Sequence, residues 1–136
     1  MNSPLVWPGG KGLMIKKLSK YIPAHRCYLE PFFGGGSLFF AKPQCAIETI
    51  NDINSDVVGF FRMLQDEKMF EKFYRKIQLT PYARELFHEA KNQYVQHEYG
   101  SLERSYYWFV SIRQSFAGKG GTWAYNIIDT GCSVKK

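Results

Sequence analysis

The sequence predicts an α/β fold whose first part is built on a small parallel sheet and whose remainder is helical. Three observations lead there. Residues 27–33 (CYLEPFF) form a short, mostly apolar run with one carboxylate, which breaks into Gly34-Gly35-Gly36 and resumes at Ser37 as a second apolar run. That is the pattern of strand, glycine turn and helix. Residues 46–54 (AIETINDIN) offer Ala46, Ile47 and Ile50 as a second, mostly buried strand with Asp52 at its end. From Asn54 onward apolar residues recur at helical spacing, without a strand pattern of comparable quality.

Taken in order, the chain opens with PLVWPGGK and continues as LMIKKLSKYIP. Leu13, Met14, Leu18, Tyr21 and Ile22 alternate with Lys16, Lys17 and Lys20, which predicts an amphipathic helix entered through a glycine turn and stopped by Pro23. Gly10-Lys11 is not a phosphate loop, because Leu5 stands where the first glycine belongs and Gly12 where Ser or Thr is required. At the triple glycine the backbone can take positive φ and carries no Cβ toward a ligand above it; Ser37 is expected to cap the helix that follows. Asn54 is the expected N-cap of the next helix, with Val57, Val58, Phe61 and Leu64 as its apolar stripe. Three further helices are predicted over 67–77, 81–96 and 102–116. Thr80-Pro81 sets proline at a first helical position, and Gly100-Ser101 ends one helix and caps the next.

Composition excludes several classes. A chain of 136 residues suffices for one domain with a real core, and 45% hydrophobic with 17% aromatic residues is not a disordered composition. A formal net charge of +6 favours a polyanionic partner. Cys27, Cys45 and Cys132 lie far apart, odd in number and without a C-x-x-C pair, which points to a reducing compartment and away from a disulfide framework or a zinc site. No metal site is expected. With no long apolar span and no signal-peptide pattern, the expected location is the cytoplasm.

Two carboxylates indicate the chemistry. Glu30 lies just before the glycine turn, where a pyrophosphate would be repelled and a ligand bearing an ammonium or sulfonium attracted; S-adenosylmethionine (SAM) carries both. Phe32 and Phe33 add aromatic surface that tolerates a soft cation. Asp52 lies about as far beyond the turn as an acidic residue that binds an adenosine ribose. It fits equally well as an acidic N-cap for the helix starting near Ser55. The spacing is not G-x-G-x-x-G, since Phe39 stands where the last glycine would be.

Trp7-Pro-Gly-Gly-Lys11, Glu30-Pro-Phe-Phe-Gly-Gly-Gly-Ser37 and Asn51-Asp52-Ile53-Asn54 together resemble the opening of the DNA adenine-N6 methyltransferases of the Dam type, the D12 class. The three motifs stand in the family's order and spacing, closely over the first sixty or so residues and more loosely beyond. The resemblance implies a Rossmann-like SAM-dependent methyltransferase sheet, here incomplete, with a helical target-recognition insertion. Residues 1–58 would be the SAM-binding part and 59–136 the recognition region, truncated. Trp7, Lys11, Glu30, Phe33, Gly34, Gly36 and Ser37 would line the SAM site, Asp52 would take the ribose hydroxyls and Ile53 would pack on the adenine. Double-stranded DNA would be the partner.

In the later part Arg104, Arg113 and Lys119 are set among Tyr106, Tyr107, Trp108, Phe116, Trp123 and Tyr125. Basic residues interleaved with rings suit nucleic acid, the cations meeting phosphates and the rings stacking on or wedging between bases. The spacing of Tyr106, Phe109 and Val110 assigns at least half of these rings to a core instead. Gly118-Lys119-Gly120-Gly121 suits a loop that orders on DNA, or an ordinary surface loop. The segment resembles the stretch where the family places a base-contacting arginine before a mobile hairpin, which makes Arg113, Lys119 and Asn126 the candidates.

No Asp-Pro-Pro, Asn-Pro-Pro or Ser-Pro-Pro occurs among the 136 residues. The family seats its flipped adenine against an Asp-Pro-Pro-Tyr motif that follows the recognition domain, so no catalytic residue is assigned, and the chain is expected to be an N-terminal part with little activity alone. A missing C-terminal half or a partner chain would restore the rest. A non-catalytic DNA- or SAM-binding remnant fits the same features. An oxidoreductase fragment would explain the glycine turn and Asp52, and leaves Trp7, Lys11 and Glu30 unexplained.

Overall fold

The structure is a computed structural model that describes residues 3–124. Two compact units divide at Asn54 and Ser55, so the expected division at 58/59 falls inside the first helix of the second unit.

In the first unit, strands β1 (Cys27–Glu30) and β2 (Ile47–Ile50) pair in parallel, in register from Cys27 opposite Ile47 to Glu30 opposite Ile50. Both runs are where the apolar pattern places them, but the second is a correction in burial: Ala46, Ile47 and Ile50, expected to be mostly buried, are all exposed. The pairing continues past the strand ends: Asn51 N donates to Glu30 O at 2.9 Å, and Phe33 N to Asn51 O at 2.9 Å. This last bond turns the chain into the glycine turn directly above β2. Side chains alternate across the pair. Tyr28, Glu30 and Glu48 share the covered face, where the Tyr28 ring meets those of His25 and Phe39; Cys27, Leu29, Ile47 and Thr49 share the other and are all exposed.

The crossover holds helix α2 (Ser37–Ala41), and here the capping expectation is corrected. Gly36 is the N-cap, left-handed at φ 71°, with no side-chain cap bond, and Ser37 is the first helical residue. A non-glycine at Gly36 would pay the left-handed penalty and meet the Phe33 ring. The opening segment also differs from expectation. It follows a helical path, but as a 3-10 turn over Lys11–Met14, α1 over Ile15–Leu18 and a second 3-10 turn over Ser19–Tyr21. Its apolar stripe is only partly used: Leu18 and Ile22 are half-buried while Leu13, Met14 and Tyr21 are exposed. A helix this short gains little from propagation, so without a buried face nothing enforces a regular α path.

The second unit is helical: α3 (Ser55–Gln65), α4 (Glu67–Gln78), α5 (Arg84–Gln93) and α6 (Leu102–Arg113). Helix α6 is the central one, packing on each of the other three. Its Phe109 stacks on Phe60 of α3 at 5.6 Å, and Phe73 of α4 stands edge-on to both, at 5.6 and 5.4 Å. Ser101 caps α6 by accepting from Arg104 N, as the sequence indicates, and Asp66 caps α4 by accepting from Met69 N.

Pro81 is a correction: α5 begins at Arg84, not at the proline. The fully buried Gln114 holds the intervening segment out of the helix, donating from Nε2 to Pro81 O at 3.0 Å and accepting from Ala83 N at 3.2 Å. Helix α6 stops at Arg113 rather than 116 because the chain then turns into a loop closed by an antiparallel bridge between Ser115 and Trp123.

Candidate functional site

The glycine turn forms the floor of a cavity of about 290 Å³ at the carboxyl ends of β1 and β2. Its wall includes Trp7, Lys11, Phe33, Gly34, Gly36, Ser37 and Asp52, seven of the nine residues assigned to the cofactor by resemblance. Glu30 and Ile53 are outside the lining. Glu30 lies behind it, buried, and reaches the wall through Lys11, while the Ile53 side chain is almost wholly exposed.

The turn is a close-packed cradle. A Cβ at Gly34, where φ is 53°, would stand 2.7 Å from Trp7 Cδ1, so the indole seats directly on the backbone. Asp52 clasps the same turn: one carboxylate oxygen accepts from Gly34 N at 2.7 Å and the other from Asn54 N at 2.9 Å. Each oxygen keeps a second lone-pair direction for a hydroxyl donor. The two readings of Asp52 therefore meet a third role, since it ties the turn after β1 to the end of β2.

Glu30 is fully engaged within the protein. Lys11 Nζ donates to one oxygen at 2.8 Å and also to Phe32 O at 2.7 Å; the Tyr28 hydroxyl donates to the other at 3.0 Å. Burial pushes the Tyr28 phenol well above its ordinary value, and the hydrogen bond to Glu30 adds to this. The charge expected to attract a ligand cation is thus met, in this structure, by Lys11.

In the second unit the expected DNA-facing residues separate. Arg113 is half-buried at the end of α6, and Lys119 is exposed on the loop that follows. Asn126, like Tyr125 and Cys132, lies outside the described residues. Arg104 is not a surface cation: it is buried, its Nε donates to Asp56 at 2.6 Å and Nη1 to His97 O at 2.8 Å, and Tyr99 lies 3.7 Å beneath it. Burial opposes its charge, and Asp56 more than restores it, leaving the guanidinium pKa raised. Tyr106, Trp108 and Phe109 belong to the core.

The glycine-rich loop is more ordered than its composition indicates. Phe116 N donates to Thr122 O at 2.8 Å, Gly120 N to Ser115 Oγ at 2.7 Å, and Lys91 Nζ to Gly121 O at 2.8 Å. Left-handed Ala117, Gly118 and Gly120 fold its tip. The loop leaves Phe116 67% exposed, a ring that helical periodicity had assigned to α6. Its nearness to Lys119 in sequence was the available signal.

The family model for D12 class N6 adenine-specific DNA methyltransferases matches residues 7–119. The chain belongs to that family. It is 26% identical over 117 residues to the DNA N-6-adenine-methyltransferase of Escherichia phage P1, covering 82% of this chain and 15% of that protein. It is 34% identical over 61 residues to the DNA adenine methylase of Serratia marcescens, covering 45% of this chain and 22% of that protein. A type II methyltransferase of Lactococcus lactis subsp. cremoris matches at 39% over 62 residues, 44% of this chain and 21% of its own length. The matched parts thus span less than a quarter of these relatives. Among the described residues no helix is long and apolar enough to cross a membrane.

Proposed function

We propose that the first unit is the SAM-binding part of an adenine-N6 DNA methyltransferase with a Rossmann-like sheet, and that the second unit is its target-recognition region, acting on double-stranded DNA in the cytoplasm. The observation that carries this reading is the cavity at the carboxyl ends of two parallel strands, where open α/β sheets take their ligands, with Asp52 clasping a glycine turn too tight for any Cβ. A nucleoside fits this donor set: the Asp52 oxygens suit vicinal hydroxyls, and the Trp7 and Phe33 rings give the wall aromatic surface.

Bound SAM supplies an electrophilic methyl on sulfur. The chain's own residues bind and orient: Gly34 and Gly36 bring the backbone close, Asp52 holds the ribose, Glu30 with Lys11 sets the charge near the amino-acid end, and Ser37 offers a hydroxyl. Ile53, being exposed, would pack on the adenine. Arg113, Lys119 and Asn126 would contact DNA, joined by Phe116. The acceptors that draw an adenine amino group toward attack are provided in this family by an Asp-Pro-Pro-Tyr motif absent from the 136 residues; a further polypeptide segment would supply them, and the chain alone would turn over little or no DNA.

Calorimetric titration with SAM, using NAD as control, tests the reading. Saturable SAM binding that Asp52→Asn weakens at least tenfold is the expected result. Binding of NAD in preference to SAM by folded protein would sink the proposal.

A further inference from the structure

The positive charge of the first unit is gathered in one short stretch. Residues 1–29 hold five lysines and arginines and no acidic residue, whereas residues 55–136 hold twelve basic and nine acidic ones. Along the helical path from Lys11 to Ile22, the half-buried positions are Lys11, Ile15, Leu18 and Ile22, which turns Lys16, Lys17 and Lys20 outward together. Nothing in the unit offsets these three charges. It has three carboxylates, and each is engaged elsewhere: Glu30 with Lys11, Glu48 with Lys42, and Asp52 with the glycine turn. Among the described residues the three lysines enter no ion pair.

An exposed charged face is usually only a solvated one, and helix α4 is an example. Its Lys68, Lys72 and Arg75 are exposed too, but Glu71 stands three positions after Lys68 and four before Arg75, and Glu67 adds a second acid. Opposite charges therefore offset each other along that helix. Lys16, Lys17 and Lys20 repel one another without such compensation, a cost that a polyanion removes. Tyr21, four positions after Lys17 and 76% exposed, adds a hydroxyl donor.

From this we infer that Lys16, Lys17 and Lys20 form a phosphate-binding strip, through which the first unit holds the backbone of duplex DNA independently of the loop bearing Lys119. Long stems spaced three and four positions apart follow successive phosphates of one strand, and such contacts supply affinity without reading sequence. A lipid surface fits less well. The outward apolar residues Leu13, Met14 and Tyr21 lie on a path whose α-helical part is four residues long, too short for the broad apolar face that a membrane-lying helix buries. The inference rests on the reading of double-stranded DNA as the partner of this chain.

Fluorescence anisotropy of the full chain on labelled duplexes of unrelated sequence, at several salt concentrations, tests it. Lys16→Gln, Lys17→Gln and Lys20→Gln combined should weaken all duplexes alike, by roughly tenfold or more at about 0.1 M salt, and lower the salt slope by about two to three. Each single replacement should lower it by about one, and the three positions changed to Arg should match the wild type. Lys68→Gln, Lys72→Gln and Arg75→Gln combined remove the same charge and should shift the slope by less than about one. Helicity by circular dichroism checks that each variant is folded. Equal effects of the two triple Gln variants, or an unchanged slope in the folded variants of the strip, would overturn the strip while leaving the DNA reading intact. Tighter binding of the wild type to phosphatidylserine vesicles than to duplex would overturn it in favour of a lipid surface. If the wild type binds no duplex, the DNA reading falls, and the strip with it.

Discussion

The glycine turn is the feature whose failure should be most informative, and Gly36→Ala is the substitution that isolates its packing. Gly36 lies at φ 71°, where a residue with a Cβ costs about 1–2 kcal/mol. The new methyl would also stand 2.9 Å from Cε1 of Phe33, against ordinary contact at 3.4–4 Å, so the ring must move by half an ångström or more. Phe33 is 3% exposed and meets Phe39 and Phe40 edge-on at 5.4 and 6.4 Å. Disturbing two such pairs costs roughly 0.5–1.5 kcal/mol each at most. The total comes to about 2–5 kcal/mol.

Native-state hydrogen exchange reads this directly at the amides of Phe33 and Asn51, which bridge the two strand ends. A loss of 2–5 kcal/mol appears as roughly thirtyfold to several-thousandfold faster exchange where those amides open with the unit. Gly9→Ala is the control. Gly9 has the same φ of 71°, and nothing lies within 4 Å of its added Cβ, so it incurs the backbone cost alone. Should Gly36→Ala accelerate exchange no more than Gly9→Ala does, the steric argument about Phe33 is wrong.

Other substitutions probe separate parts. The Tyr28 phenol titrates above its ordinary 10.0 in the folded chain, so its contribution to stability is complete below pH 10 and is lost as pH rises toward the folded value; denaturant titrations across this range should show a smaller loss in Tyr28→Phe than in wild type, the raised Tyr107 phenol accounting for part of what remains. Arg104→Met takes the guanidinium away from a largely buried Asp56 and should cost about 2–4 kcal/mol in thermal melts, part of which Asp56→Asn added to it should restore. For DNA, Lys119→Gln should weaken binding about equally across sequences and lower the salt slope by about one, whereas Phe116→Ala should weaken it with no change in slope; a fluorescence titration at several salt concentrations separates the two.

The elements that could be read locally were those whose cause is local. The two strands follow from short apolar runs, the first ended by the glycine turn and the second by Asn51-Asp52, α4 from helical spacing over 67–77, and α6 from Ser101 and a run of core rings. Two of the errors have a distant cause. Thr80-Pro81 carries every local signal of a helix start, yet Gln114, over thirty positions later, takes the Pro81 carbonyl and the Ala83 amide. Arg104 reads as a basic surface residue because nothing nearby in sequence announces Asp56, forty-eight positions away. Ser37 was displaced from the cap by one position, since a left-handed glycine ends the turn without help from a side chain.

The candidate site divides the same way. Its glycines and aromatics were legible as a backbone made to approach something closely, but the roles of its charged residues come from pairings that no spacing rule supplies. Asp52 looked like a ligand group or a cap and is also a clasp on Gly34, eighteen residues earlier. Glu30 looked like an open anion and is matched by Lys11, nineteen residues earlier. Each carboxylate thus holds the shape of the cavity, and on the proposed reading each would also provide one of the two polar anchors that a nucleoside carrying an amino acid requires. A change at either should therefore alter the ligand-free turn as well as affinity, and measurements on the empty chain are needed to tell lost contacts from a lost cavity.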